Sequence, residues 1–160
     1  TAKAAAGALP AAKKGGTIII VANNSDPFDP VGSPEYRTFL HLLKLQGPDG
    51  YLDLIKSPGW KFTRDQWEPE VWGKVLRKVG EEGLIYCSPE INPKDYSLLP
   101  GRSGPELLEE NNQLTLIEKA REMTQKAVLL AVARLQLKNL QLAMAFIREG
   151  PYAVPFRTSI

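Results

Sequence analysis

An unbroken run of apolar residues near the amino terminus gives the clearest structural signal in the chain. Residues Thr17 to Ala22 read TIIIVA, without the alternation of a half-exposed strand, and they follow Gly15 and Gly16. A continuous run rich in β-branched residues is typical of a strand covered on both faces, as in a parallel sheet flanked by helices. The pattern predicts that Ile18 to Val21 form a buried strand at the centre of a sheet.

Helical patterns lie on both sides of this strand. The alanine-rich segment Lys3 to Lys14 favours a helix, which Pro10 should kink or divide because proline removes a helical hydrogen-bond donor. Further along, Ser33 and Pro34 suit the cap and the first position of a second helix. That helix should end at the turn formed by residues 47–50. Its predicted apolar face consists of Tyr36, Phe39, Leu40 and Leu43.

The middle of the chain predicts two more helices and a second strand. A short helix is expected from Tyr51 to Ile55, and the segment Leu84 to Cys87 is predicted to be a buried strand. The helix between them starts either near Pro69, which suits a first turn, or earlier, at a capping box formed by Thr63 and Gln66. Its core-facing stripe should be Val71, Trp72, Val75, Leu76 and Val79.

The second half of the chain is less regular. Ser88 to Gly104 contains three prolines and is predicted to be irregular and mobile. Thr115 and Glu118 form a candidate capping box for a helix that runs to about Leu135. A further helix, capped by Asn139, should end at Gly150, and residues 152–156 should close the chain as a short edge strand.

Together these elements predict a single α/β domain over residues 1–160, with a mostly parallel, open sheet flanked by helices in a Rossmann-like, three-layer arrangement. Ligands of open α/β sheets usually bind beyond the carboxyl ends of the strands. The polar loop Asn23, Asn24, Ser25 and Asp26 directly follows the first strand, so these residues are expected near a site.

The amino-acid composition limits which binding partners and which cellular compartment we expect for this protein. The net charge of +2 comes without a basic stripe, so nucleic acid is not an expected partner. No apolar run reaches the length of a membrane span and no signal peptide is visible, so no membrane association is expected. A single cysteine excludes an internal disulfide and is compatible with a cytoplasmic protein. Because Thr1 lies in helix-like sequence and is not a methionine, we expect a piece of a longer polypeptide.

The chain offers little catalytic chemistry of its own. His41 lies beside Arg37 and Lys44 between apolar positions, which favours a solvated surface histidine, and a lone histidine is a poor metal site. Cys87 has no CxxC partner and is expected to be an inert buried thiol. P-loop, GxGxxG, GxSxG and HExxH motifs are all missing from the sequence. We therefore expect no catalytic residue and no metal ligand set in this chain.

Several of these segments resemble the C-terminal domain of the nickel-dependent lactate racemase family. The resemblance rests on Lys3 followed by the GGTIIIVA run of Gly15 to Ala22 and by Ser25 and Asp26. Asp65 to Glu68, DQWE, resembles the DQW element of the family, and Gly150 to Phe156 resembles its closing strand.

The resemblance implies a two-domain racemase or epimerase. Members of the family use a nickel pincer nucleotide that takes hydride from C2 of a small 2-hydroxy acid and returns it to either face. Two histidines and a lysine that tethers the cofactor belong to the N-terminal catalytic domain, which is the partner this resemblance implies. With its single histidine, the present chain is expected to be inactive when isolated.

Only a few roles carry over to this chain. The resemblance implies that Lys3 binds the substrate carboxylate and that Trp67 packs against the cofactor, supported by Gln66 and Asp65. Taken alone, a tryptophan at a helix entrance favours a core or staple role. The chain has Pro27 where many members have glycine, so the rim of the pocket and the substrate are expected to differ.

Two other interpretations stay open at the level of the sequence. A homologue could keep the fold and serve as a ligand-binding, regulatory or scaffold module without catalysis. An unrelated Rossmann-like nucleotide-binding domain is the third possibility, against which the missing glycine fingerprint after Ala22 argues.

Overall fold

The structure, a computed structural model, describes residues 2–22, 34–108 and 113–136. Their helices are α1 (Ala2–Ala8), α2 (Pro34–Lys56), α3 (Trp67–Val79), α4 (Pro93–Tyr96) and α5 (Leu116–Arg134). The strands are β1 (Ile18–Val21), β2 (Leu84–Cys87) and β3 (Arg102–Ser103), and single 3-10 turns lie at Glu81–Gly83 and Pro105–Leu107.

The three described strands form one parallel sheet in the order β1-β2-β3. Ile18 pairs with Leu84, and Ile85 pairs with Arg102. The predicted α/β class with a parallel sheet is therefore confirmed, whereas the Rossmann-like arrangement stays a prediction.

The position of β1 corrects the sequence-based expectation. Among the described strands, β2 is central and buried at all four positions, while β1 pairs with β2 alone. Ile18 and Ile20 are buried, but the side chain of Val21 is 55% exposed, so the predicted burial of the whole strand on both faces is wrong. Both strands are short apolar runs, and such a run does not reveal how many neighbours its strand has.

Helices cover both faces of the sheet. One face packs against α1, α2 and α3 through a core that contains Ile18, Ile20 and Tyr86. The other face packs against α5, where Ile85 and Cys87 contact Met123 and Ala127. The alternation of side chains along β2 thus divides its residues between two cores.

Breaks in the first two helices follow the predicted positions. Helix α1 ends at Ala8, before Pro10, so the predicted helix is wrong for residues 9–14, which form turns and irregular structure. Gly15 takes the left-handed conformation, with φ +72°, that leads the chain into β1. Helix α2 contains a non-helical residue at Gly47, with φ +69°, at the start of the predicted turn. The predicted apolar face is confirmed for Phe39, Leu40 and Leu43, which are buried, while Tyr36 is only partly buried.

The start of α3 agrees with the candidate position near Pro69 and not with the earlier one at Thr63. The regular helix begins at Trp67, and the N–H of Thr63 donates to the side-chain oxygen of Gln66 at 2.7 Å, which is one half of a capping box. Pro69 lies in the first turn. The predicted core-facing stripe is confirmed for Trp72, Val75, Leu76 and Val79, while Val71 is only partly buried.

The segment from Ser88 to Gly104 differs from its prediction. It contains α4 and β3, and it buries Ile91, Tyr96, Leu98 and Leu99 in the main core. The prolines suggested an irregular, mobile loop, but Pro93 starts a helix capped by the side chain of Asn92. A strand of two residues leaves no periodic pattern from which it could be predicted.

The capping box of α5 is confirmed. The Thr115 hydroxyl accepts from the N–H of Glu118, and the Glu118 carboxylate accepts from the N–H of Thr115. The cap at Ser33, the second C-terminal helix and the strand at residues 152–156 lie outside the described residues. Across the described ranges, the helices are all too short or too polar to cross a membrane.

Candidate functional site

Lys3 and Trp67 meet at the amino-terminal ends of two helices. Lys3 lies in the first turn of α1 and Trp67 is the first residue of α3, and these helices pack against each other. The Nζ atom of Lys3 lies 5.7 Å from the centroid of the Trp67 ring, within the range of a cation–π contact. The ring is still 40% exposed. Lys3 and Trp67 thus lie on the same side of the domain, whereas the loop after β1, which is also expected near the site, lies outside the described residues.

The turn that presents Trp67 is held together by Gln66. Its side-chain oxygen accepts from the indole N–H of Trp60 at 2.9 Å as well as from Thr63, and its backbone carbonyl accepts from the hydroxyl of Tyr51 at 2.7 Å. These bonds orient the entrance of α3. Gln66 therefore supports the turn, as expected, and its amide oxygen is engaged inside the protein.

Asp65 occupies a strained position in the same turn. Its φ of +63° lies in the left-handed region, where aspartate is tolerated better than most residues. One carboxylate oxygen lies 3.5 Å from the Nε atom of the exposed Arg64. The strained backbone places a negative charge two residues before Trp67 and three before Glu68.

Glu68 is a residue of this site that the sequence did not single out. Burial raises the pKa of its carboxyl and the nearby charge of Asp65 raises it further, while Lys3 and a hydrogen bond with Tyr36 oppose that shift. Tyr36 belongs to α2, and its oxygen accepts from the indole N–H of Trp72 at 3.1 Å. Acidic residues are common in the first turn of a helix, so the sequence offers no reason to select Glu68. Its partly buried, charged surroundings are visible only from its neighbours in the structure.

Tyr36 remains protonated in this cluster. Burial raises the pKa of its hydroxyl far above the ordinary value of 10.0, and the neighbouring Glu68 adds to the shift. The Tyr36 hydroxyl therefore keeps its proton at neutral pH and can donate a hydrogen bond, while its oxygen accepts one from Trp72.

The other candidates from the sequence are not brought into this cluster. His41 is exposed on α2, and Cys87 is buried in β2. The loop residues Asn23, Asn24, Ser25 and Asp26 lie outside the described part of the chain. Within the described ranges, the histidine, cysteine, aspartate and glutamate side chains form no group of three or more that could hold a metal ion.

A cavity of about 860 Å³ lies beyond the carboxyl end of β1. Val21 and Ala22 form one wall and the first turns of α5, from Thr115 to Gln125, form another. Glu90, in the segment after β2, also lines it, and its Oε2 atom is buried without a hydrogen-bond partner among the described residues. This position agrees with the usual location of ligands in open α/β sheets.

No known family model matches the chain, and neither a curated protein nor a solved structure shows significant similarity to it.

Proposed function

We propose that this chain is the C-terminal, cleft-lining domain of a lactate-racemase-like enzyme, which racemises or epimerises a 2-hydroxy acid. The observation that supports the proposal best is the contact between Lys3 and Trp67. The resemblance assigned both residues to one site although they belong to different helices, far apart in sequence. An exposed aromatic ring beside an ammonium group offers packing surface and charge for a small carboxylate substrate.

In this proposal Lys3 binds the carboxylate of the substrate as a point charge. Trp67 packs its exposed ring against the organic part of a nickel pincer nucleotide and excludes water, while Gln66 and Asp65 fix the turn that carries it. The cluster fits such a planar group because it offers an aromatic surface and a cation. When bound, the cofactor would supply the hydride chemistry at C2 of the substrate.

The remaining machinery is assigned to a preceding N-terminal domain of the same polypeptide. Removal of the hydroxyl proton needs a base within hydrogen-bond reach on either face of the substrate. His41 is exposed on α2 and is a single histidine, so the acid–base pair and the tethering lysine are assigned to that domain. A protein that works in the cytoplasm is part of the same proposal.

A second candidate function is a ligand-binding module without catalysis. The cavity beside β1 favours it, because Glu90 lines this cavity and its Oε2 atom is buried without a hydrogen-bond partner among the described residues. A hydrophobic amine such as hexylamine, titrated into the chain and followed by amide chemical shifts, tests this candidate. Shifts confined to the cavity wall support it, and shifts spread evenly over the surface contradict it.

The racemase proposal is tested in the longer polypeptide, produced together with the enzymes that make the cofactor. We expect nickel in the purified protein and racemisation of a 2-hydroxy acid, measured by chiral chromatography. Lys3→Ala should raise KM about 10-fold or more, because a charge-assisted contact to the carboxylate is lost. Trp67→Ala should lower kcat, because water enters the cleft, and circular dichroism should show an intact fold.

Two control variants separate the site from general surface effects. Lys13→Ala removes an exposed lysine shortly after α1, and Phe62→Ala removes an aromatic ring that is 80% exposed in the neighbouring loop. Neither should change kcat or KM. Unchanged kinetics in both Lys3→Ala and Trp67→Ala would remove these residues from the site. A nickel-free, inactive wild type would favour the second candidate.

A further inference from the structure

Two aromatic side chains donate hydrogen bonds to the turn that carries Trp67. Tyr51 of α2 is fully buried, and its hydroxyl donates to the backbone carbonyl of Gln66 at 2.7 Å. The indole N–H of Trp60, in the loop after α2, donates to the Oε1 atom of Gln66 at 2.9 Å. The backbone N–H of Thr63 donates to the same Oε1 atom at 2.7 Å. Gln66 is therefore held both at its backbone and at its side chain, directly before Trp67.

Ring contacts fix these two aromatic donors relative to each other. The ring centroid of the buried Phe39 lies 6.4 Å from that of Tyr51, edge to face, and 5.9 Å from that of Trp60. Both separations are in the range of favourable aromatic pairs. Tyr51 and Trp60 thus reach Gln66 from one packed aromatic cluster, which cannot follow a movement of the turn without disturbing the core.

The backbone of the turn is strained at Asp65. Its φ of +63° lies in the left-handed region, which is unfavourable for a residue with a Cβ atom. Such a conformation persists where the surrounding structure holds it in place. The side chain of Gln66 makes no capping bond to α3. The bonds from Tyr51 and Trp60 join this turn to the core and so help to hold it.

The other end of α3 is held by a separate set of bonds. Arg77, in the last turn of α3, donates to the backbone carbonyl of Pro48 at 3.1 Å and to the carboxylate of Asp49 at 3.2 Å. Pro48 and Asp49 belong to the same part of α2 as Tyr51, after the break at Gly47. Loss of the Tyr51 bond should therefore loosen the entrance of α3 and leave its last turn in place.

We infer that Tyr51 and Trp60 are positioning residues for the ring of Trp67. Acting through Gln66, they hold the turn in the conformation that places this ring 5.7 Å from the Nζ atom of Lys3. Removal of either donor lets the turn relax and moves the ring relative to Lys3. That the positioned ring belongs to a racemase site rests on the proposed function, whereas the positioning itself does not.

Tyr51→Phe and Tyr96→Phe form a matched pair of variants. Each removes one hydroxyl from a buried tyrosine and keeps the aromatic ring in the core. Each hydroxyl donates to a backbone carbonyl, that of Gln66 for Tyr51 and that of Ser88 for Tyr96. Both variants should therefore lose a similar amount of stability, and only Tyr51→Phe should change the contact between Lys3 and the ring.

An NMR comparison without ligand gives the first test. In the wild-type chain the ring current of Trp67 should shift the terminal CH2 signal of Lys3 upfield. Tyr51→Phe should lose most of that shift and broaden the indole N–H signal of Trp67, whereas Tyr96→Phe should keep both signals. The indole N–H of Trp72, which is fully buried in the same helix, should stay unchanged in both variants and report an intact core.

Trp60→Phe removes the second donor. This variant keeps an aromatic ring beside Phe39 and loses the N–H that bonds to Gln66. It should reduce the upfield shift of Lys3 as Tyr51→Phe does. Circular dichroism shows whether each variant is folded. If Tyr51→Phe does not fold, Trp60→Phe alone decides the question by the same signals.

The second measurement uses the longer polypeptide with L-lactate as the substrate. Tyr51→Phe should lower kcat about 2- to 10-fold, which corresponds to the loss of one hydrogen bond, and Tyr96→Phe should leave kcat unchanged. When Tyr51→Phe is added to Trp67→Ala, kcat should not fall further, because the residue through which Tyr51 acts is already gone. A further loss of the same size would contradict the inference.

The outcomes separate this inference from the proposed function. Signals of the Lys3–Trp67 contact that stay unchanged in both donor variants overturn the inference, even in a polypeptide that racemises lactate. Equal changes of these signals in Tyr51→Phe and Tyr96→Phe overturn it as well, because they indicate a general loss of stability. A contact that depends on Tyr51, in a polypeptide without nickel or racemase activity, supports the positioning and contradicts the proposed function.

Discussion

At the scale of single residues, Cys87 shows how its position in the sheet determines reactivity. It is the last residue of β2, fully buried against the inner face of α5. Burial raises the pKa of its thiol to about 11, and a hydrogen bond with Thr124 opposes only part of that shift. Because the thiolate is the reactive form, the folded protein should protect this cysteine at neutral pH.

We predict that a thiol reagent such as dithionitrobenzoate reacts with Cys87 only when the protein unfolds. The unfolded chain should react at once with one equivalent, whereas the native protein should react at its unfolding rate. Since the thiol of the folded protein has the higher pKa, the free energy of unfolding should fall as the pH rises from 9 toward 11. Rapid reaction of the native protein would contradict this assignment.

At the scale of elements, the pairing of β3 with β2 depends on Gly104. A Cβ atom at this position would lie 2.0 Å from the backbone oxygen of Tyr86, which belongs to the central strand. A backbone oxygen inside a paired strand cannot move aside as a flexible side chain can. The close approach of these two strands therefore requires glycine directly after β3.

Gly104→Ala is accordingly predicted to separate β3 from β2. The free energy of unfolding should fall by about 1–3 kcal/mol or more, the usual cost of an added methyl group in a packed interior. Urea denaturation measures the change. The matched variant Gly59→Ala, where the new methyl meets nothing within 4 Å, should leave the midpoint nearly unchanged. Equal losses in both variants would argue against a specific clash.

The elements also show how far the sequence predicts this structure. Helices α1, α3 and α5 and strands β1 and β2 follow from apolar periodicity, proline positions and a capping box. Strand β3 was missed because two residues carry no period, and the neighbours of β1 depend on contacts distant in sequence. Local sequence patterns could not predict that Lys3 lies beside Trp67. That expectation came from the resemblance to a family. Glu68 became visible only once α1, α2 and α3 were placed together.

At the scale of the whole molecule, Arg134 joins the end of the described chain to its beginning. It is the last residue of α5, and its guanidinium donates to the carbonyl oxygens of Gly15 at 2.9 Å and Gly16 at 2.5 Å. It also donates to the hydroxyl of Thr17 at 2.8 Å. These bonds satisfy the backbone where the chain enters β1, so they fix α5 against the sheet.

Arg134→Met is predicted to lower the free energy of unfolding by about 1.5–3 kcal/mol, the typical contribution of hydrogen bonds to a charged group. Methionine keeps most of the apolar stem, so the loss reports mainly the guanidinium contacts. Thermal unfolding followed by circular dichroism measures it. Arg121→Met, at an exposed position of the same helix, should have little effect. A stable Arg134→Met variant would show that α5 is held by its apolar face alone.

The pairing of Ile18 with Leu84 has a consequence for synthesis on the ribosome. Strand β1 leaves the exit tunnel early, but its partner emerges only after α2 and α3 have been made. Until then the apolar segment Ile18–Val21 is an unpaired edge in a nascent chain, open to association with other chains or to chaperones. A parallel sheet with such distant partners also closes late in folding. The run that marks the fold most clearly in the sequence is thus the part most exposed to aggregation before the domain is complete.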